Sequence, residues 1–145
     1  MDWKAEAKEK LRRYGAMQNA LVSIPQEIKR LEIEYQSIRS SRTDGTPVKG
    51  GGSGREDALL NNLVNRQELE WALKQAMKWK QVTDQALSIL DEEERLILRL
   101  LYISPSNGSM ATLCKELGCE KSSVYNKRDK ALHTFTIALY GAIET

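Results

Sequence analysis

Ser109-Met110-Ala111-Thr112-Leu113-Cys114-Lys115-Glu116-Leu117-Gly118-Cys119-Glu120-Lys121-Ser122-Ser123-Val124-Tyr125-Asn126-Lys127-Arg128-Asp129-Lys130-Ala131-Leu132 reads as two short helices around a tight turn at Gly118. Leu113, Cys114 and Leu117 form the inner face of the first helix; Val124, Ala131 and Leu132 form that of the second. Cys114 lies one turn before Gly118, where two crossing helices leave room only for a small side chain. Gly118 falls where the first helix must end in a left-handed residue, a conformation glycine adopts without steric penalty. Two helices on so short a turn cannot bury themselves and need a third beneath them. The second helix keeps a free face with Lys121, Ser122, Tyr125 and Asn126. That layout is a helix-turn-helix, whose second helix enters the DNA major groove. An ordinary glycine-capped helical hairpin is the bland alternative. The small residue, the glycine and Val124 at the right offsets favour the DNA-binding reading over it.

Outward from this stretch, Leu87-Ser88-Ile89-Leu90-Asp91-Glu92-Glu93-Glu94-Arg95-Leu96-Ile97-Leu98-Arg99-Leu100-Leu101-Tyr102 precedes the motif. It resembles the helix before the helix-turn-helix in region 4 of bacterial sigma factors. That family reads Leu-x-x-Leu-x-x-x-Glu-Arg, an apolar run, Tyr, the helix-turn-helix and a closing Ala-Leu. Leu87, Leu90, Glu94, Arg95, Tyr102, Ala131 and Leu132 hold those places, over about residues 85–140. Two positions depart from the pattern. Glu120 stands where the family has a capping Ser or Thr, which makes a weaker cap. Arg128 stands where the family is apolar. Because only region 4 has a counterpart, the chain is not expected to melt promoters by itself. By analogy with region 4, RNA polymerase is implied as a further partner.

Over its whole length the chain is similar to small phage-encoded transcriptional regulators, the ArpU/RinA-like late-gene activators of Gram-positive bacteria. Val48-Lys49-Gly50-Gly51 and Val124-Tyr125-x-x-Arg128-x-Lys130-Ala131-Leu132 carry that likeness, and in this group Arg128 is normal. The resemblance implies a DNA-binding activator of phage late genes. Two rivals remain: a small terminase subunit, which also joins a helix-turn-helix to oligomerising helices, and a sigma-mimicking, polymerase-binding protein.

The chain has 145 residues, room for one domain or a small domain with a helical extension. With 41% hydrophobic and 29% charged residues, three Pro and one Phe, an all-α fold is expected. No apolar run is long enough for a membrane span, and Met1-Asp2-Trp3-Lys4 lacks a signal-peptide layout, so the cytoplasm of a bacterial host cell is the expected location. Net charge is only +2, and residues 91–145 hold seven basic and eight acidic side chains. Basic character is local. Lys121, Lys127, Arg128 and Lys130 face Asp129 alone within residues 121–132, whereas Asp91 to Glu94 suit a helix start. Such a face predicts modest, strongly salt-dependent affinity per monomer.

The N-terminal region, residues 1–88, reads as a helical hairpin and residues 89–145 as the helix-turn-helix domain. Trp3, Ala7, Leu11 and Tyr14 mark a first helix, continued by Met17, Leu21 and Val22. Ser23 with Gln26 is a capping-box signal and Pro25 suits a first turn, so a second helix is expected there. Ile24, Ile28, Leu31, Tyr35 and Ile38 form its near-heptad stripe. Residues 40–55 read as a flexible loop. A long helix over 56–88 follows, with Leu59, Leu63, Leu69, Leu73, Ala76, Met77, Val82 and Leu87. Either the first two helices sheathe it, or a second copy does, as a homodimer through the N-terminal helices. Trp71 and Trp79, eight residues apart, read by default as core; exposed, they would mark a dimer or polymerase contact. Asp91 with Glu94 forms a capping box, Ser109 is placed to cap the next helix, and Phe135, Leu139 and Ile143 extend the last.

No catalytic constellation emerges, and no cofactor or metal is expected. His133 reads as a structural or surface residue. Residues 50–54 lack the Lys-Ser/Thr of a phosphate loop. Asp91 to Glu94 fan around a helix instead of converging on a cation, and Cys114 and Cys119 have no companions at zinc spacing. Double-stranded DNA is the expected ligand. Asn126 can take adenine, Lys121 guanine or phosphate, and Tyr125 a thymine methyl or phosphate. Ser122 and Asp129 share the face of Asn126, opposite Val124, and Ser123, Lys127 and Lys130 suit backbone contacts. Arg128, four residues from Val124, leans inward towards an expected partner in Glu94 or Glu116; a structural and a DNA role are both open.

Overall fold

Helical periodicity dominates the chain, and the structure, a computed structural model, is all-α over the residues it describes, 2–41 and 51–141. Five α-helices occur: α1 (Trp3–Ser40), α2 (Gly51–Ile89), α3 (Glu92–Leu98), α4 (Ser109–Leu117) and α5 (Lys121–Tyr140), with a π-helical segment, Arg99–Ile103, continuing α3. None of them is long and apolar enough to cross a membrane. Val48 and Lys49 of the family-like Val-Lys-Gly-Gly run and Ile143 lie outside the described residues.

α1 runs unbroken through Ser23 and Pro25, where the sequence predicts a boundary between two helices. Pro25 removes one backbone donor and crowds the preceding turn. It sits on an exposed part of α1, with Ala7, Leu11 and Tyr14 buried before it and Leu31 buried after it. Packing therefore overrides the local stop signal. Val22, expected on the stripe, is exposed. α2 begins at Gly51, so residues 51–55 of the predicted loop are helical; residues 42–50 lie outside the described residues.

The chain falls into two compact units, Ala20–Met77 and Met1–Asn19 with Lys78–Thr145. In the first, α1 and α2 run antiparallel: the Asn62 amide donates to the Leu31 carbonyl at 2.8 Å, and nearer the other end the Arg55 guanidinium donates to the Arg39 carbonyl. Leu59 and Leu69 are half-buried there, but Leu63, Met77 and Trp71 are exposed, contrary to the core role expected of them.

The second unit contains α3, α4 and α5, the start of α1 and the end of α2. Its main core joins Ala7 and Leu11 of α1, Ala86 of α2, Leu90, Leu98, Tyr102 and the α5 residues Ala131, Leu132 and Phe135. A smaller core, Ile97, Leu113 and Val124, lies among α3, α4 and α5. Adjacent residues Ile97 and Leu98 thus serve different cores, which is why the run from Leu96 to Ile103 is apolar nearly all round. The π-helical segment closes on Ser104, whose amide donates to the Arg99 carbonyl at 2.8 Å. It brings the Ile103 carbonyl against α1 at Gly15, where a Cβ would collide with that oxygen. Tyr14 donates to the Asp84 carboxylate, tying α1 to α2 within this unit. Trp79 and Val82 on α2 are exposed, so the expectation of core packing fails for Trp79 as it does for Trp71. An aromatic at a helical position is buried only if another element reaches it.

Candidate nucleic-acid interface

The supporting helix α3 starts as expected. Asp91 accepts from the Glu94 amide at 2.7 Å while the Glu94 carboxylate accepts from the Asp91 amide at 3.2 Å, completing the capping box. α4 starts differently. The hydroxyl of Ser109 is buried and accepts from the Ser106 amide at 3.0 Å, while Gly108 occupies the cap position without a side-chain bond. Ser109 therefore fastens the turn before α4 instead of capping it. The intervening turn, residues 104–108, leaves the Ser106 amide as the nearer unsatisfied donor.

α4 ends at Gly118, whose φ of 62° is left-handed, and the Cys119 amide donates back to the Cys114 carbonyl at 3.2 Å. Leu113 and Val124, both fully buried, meet across this turn, with Cys114 and Leu117 packed beside them. α5 opens at Glu120, which makes no side-chain cap bond, as expected of a glutamate at that place. Val124, Ala131, Leu132 and Phe135 seat α5 in the two cores. The opposite side of its first two turns faces outward.

On that side Lys121, Ser122, Tyr125, Asn126 and Lys130 are exposed, and Ser123 is half-buried. Among the described residues the side chains of Ser122, Asn126 and Lys130 have no hydrogen-bond or ion-pair partner. Tyr125 is held between two cations on its own helix: the Lys121 ammonium lies 6.0 Å and the Arg128 guanidinium 4.8 Å from its ring. Its ring is thereby presented at the surface in a fixed attitude.

Lys127 and Arg128 are more constrained than the spacing suggests. Lys127 forms an ion pair with Glu93 of α3, and this bond holds its ammonium above the ordinary value. Arg128 pairs with neither Glu94 nor Glu116 but with the adjacent Asp129, at 2.9 Å, and its side chain is 22% exposed. Burial works against its charge, yet Asp129 and Tyr102 more than offset that cost, and its pKa is raised. Its guanidinium thus stands among Asp129, the Tyr125 ring and the buried Tyr102. The glutamates proposed from sequence stand on other helices, whereas Asp129 is one residue away.

Asp129, placed from sequence on the outward face, has a pairing role that the sequence did not reveal. It also receives Lys4 of α1 at 3.6 Å; burial alone would raise its pKa, but Arg128 and Lys4 hold it below the ordinary 3.8. Beside it, Trp3 packs edge-on against His133, ring centres 5.7 Å apart. The start of α1 is therefore clamped along α5. An acidic residue among cations was the available signal, but nothing in the pattern ties it to position 4.

An open groove of about 720 Å³ runs along this flank, lined by Trp3, Glu93, Lys127, Asp129, Lys130 and His133 among others. Its charges are mixed and largely paired, so it is no phosphate cradle. Among the described residues no three His, Cys, Asp or Glu side chains are grouped to hold a metal ion, and Cys114 and Cys119 are free thiols.

The family described as "Protein of unknown function (DUF1492)" matches residues 37–136, which span the end of α1, all of α2, α3 and α4, and α5 as far as Thr136. Comparison with curated proteins and with solved structures gave no match.

Proposed function

The chain belongs to the DUF1492 family, and we propose that it is a sequence-specific DNA-binding transcriptional regulator, an activator of phage late genes. The observation that carries this reading is the first two turns of α5. They are anchored from below by Val124 and Ala131, joined to α4 through a left-handed glycine, and present Lys121, Ser122, Tyr125 and Asn126 to solvent. A rigid helix with a free polar and basic face, mounted on two supporting helices, is what major-groove reading requires.

Within it, Asn126 is the base reader, with two donors and two acceptor sites matched to adenine. Tyr125, steadied by Lys121 and Arg128, packs on a thymine methyl or reaches a phosphate. Lys121 and Lys130 supply the phosphate attraction, with Ser122 and Ser123 as short-range donors. Lys127 and Arg128 keep structural partners, and their share in DNA contact is the smaller one. The late-gene setting comes from the likeness to ArpU/RinA-like activators, and RNA polymerase as a second partner from the likeness to sigma region 4; both are fold-level analogies.

Immunoprecipitation with crosslinked DNA from prophage-induced cells tests the reading, with Asn126→Ala beside the wild type. A sharp peak upstream of a late operon, lost in the variant, supports it. Enrichment at a packaging start site would instead indicate a small terminase subunit. Signal spread over many promoters regardless of the substitution would indicate a sigma mimic that rides on polymerase.

A further inference from the structure

Between Ala20 and Met77 the fully buried residues, among the described ones, are Leu31, Asn62 and Ala76. Over the same stretch Val22, Ile33, Leu60, Val64, Trp71 and Met77 are exposed, Trp71 to 65% and Leu60 to 58%. Along the seam Leu31 alone of the large apolar side chains is fully buried among the described residues; its neighbours Ile28, Tyr35, Leu69 and Leu73 are half-buried. Apolar burial is the main force that holds helices together, and a unit with so small a core is marginal without further cover. Exposed apolar surface on this scale marks an interaction site.

The exposed residues of α2 are not scattered. Leu60, Val64 and Trp71 are spaced four and seven, which places them on one side of the helix. The seam towards α1 contains Asn62, Arg66, Leu69, Leu73 and Ala76, and it lies half a turn round from them. α2 thus has two apolar sides in this unit, one against α1 and one without a partner among the described residues.

We propose that the outward stripe of α2 docks a second copy of this chain, with the two α2 helices antiparallel. Charge selects both the occupant and its direction. Glu56 and Asp57 stand at the N-terminal end of the stripe, Lys74 and Lys78 at its C-terminal end. Antiparallel pairing sets acid against base at both ends, whereas parallel pairing sets like on like. A two-fold axis midway between Val64 and Trp71 lays each Trp71 on the other copy's Val64 and each Asp57 against the other copy's Lys78. This is an isologous interface, in which one patch is its own complement. The result is a four-helix arrangement in which the second side of α2 gains a core. A dimer presents two α5 helices, which raises the modest DNA affinity of one, but the docking itself does not depend on DNA.

Sedimentation velocity of the full chain without DNA, across a wide concentration range, tests the proposal. Wild type is expected to show a monomer–dimer equilibrium. Trp71→Glu and Val64→Glu, each at an exposed helical position, are expected to weaken it by about thirtyfold or more with unchanged helical circular dichroism. Direction is read from charge reversal: Asp57→Lys and Lys78→Glu each weaken the dimer, and the double variant restores it. A monomer at every concentration overturns the proposal and leaves the stripe to a different protein. A dimer indifferent to Trp71→Glu and Val64→Glu overturns it too, and a double variant as weak as the singles overturns the antiparallel pairing.

Discussion

Gly15 shows how one side chain's absence sets a contact. Alanine favours a helix interior over glycine by about 1 kcal/mol, so propensity alone makes Gly15→Ala stabilising. A Cβ there would strike the Ile103 carbonyl oxygen, which belongs to the backbone and cannot turn aside. Overpacking of this kind costs roughly 1–3 kcal/mol, so Gly15→Ala is expected to be neutral to destabilising by about 2 kcal/mol and to lower Tm. A rise in Tm on thermal unfolding would contradict the close approach. Asp129 carries the second residue-scale expectation. Its folded pKa is depressed, with Arg128 and Lys4 outweighing the opposing effect of burial. Its stabilising contribution is therefore present above the unfolded value near 3.8 and is lost as pH falls through the folded value. Its side chain is 38% exposed, so screening limits the gain to about 0.5 kcal/mol. Asp129→Asn is expected to be slightly less stable at neutral pH and to lose less stability below pH ~4 than wild type does, when denaturant unfolding is followed across pH. Equal acid sensitivity of the two proteins would contradict the assignment.

Among elements, α5 was the most legible in sequence. Val124, Ala131, Leu132 and Phe135 are spaced by seven, one and three, and all four are buried. The left-handed Gly118 and the Asp91–Glu94 box were legible for the same reason, since each depends on neighbours within one turn. The continuity of α1 was not legible, because Ser23, Pro25 and Gln26 give a genuine local start signal that packing on both sides overrides. The π-helical segment could not be read either; an apolar run from Leu96 to Ile103 is compatible with any helical pitch. Nor could Trp71 and Trp79 be placed, because periodicity finds two apolar sides on α2 without saying which is covered. In the candidate interface the face of α5 was legible, but the partners of Lys127 and Arg128 were not: Glu93 comes from another helix and Asp129 from the next residue. This difference has a measurable consequence for DNA binding. Lys121 and Lys130 are exposed and without ion pairs among the described residues, so alanine at either is expected to reduce the slope of log affinity against log salt by about one. Lys127→Ala is expected to change the slope less and to loosen α5 from α3, because its ammonium is already matched to Glu93. Equal slopes for all three variants in fluorescence-anisotropy titrations would show that the Glu93 pair gives way on binding.

At the scale of the whole molecule, the start of α1 is part of the same compact unit as α3, α4 and α5, through Ala7, Leu11, Trp3 and Lys4. Ala131, Leu132 and Phe135 of α5 therefore share a core with α1 residues more than a hundred positions earlier in sequence, which local pattern cannot reveal. The other unit has little core of its own and an unmatched apolar stripe on α2, where self-association is proposed. With the proposed function and the proposed pairing, one chain would divide the labour between a DNA-reading unit and a pairing unit. The proposed function rests on whether α5 reads sequence. The most direct measurement is selection by the purified full chain from a pool of random DNA duplexes at moderate salt, with Asn126→Ala alongside. Sequence-specific reading predicts one enriched motif for wild type that loses preference at an adenine in the variant, a discrimination worth about 1–3 kcal/mol. Binding without any enriched motif, or an identical motif from both proteins, would contradict the assignment of α5 as the recognition helix.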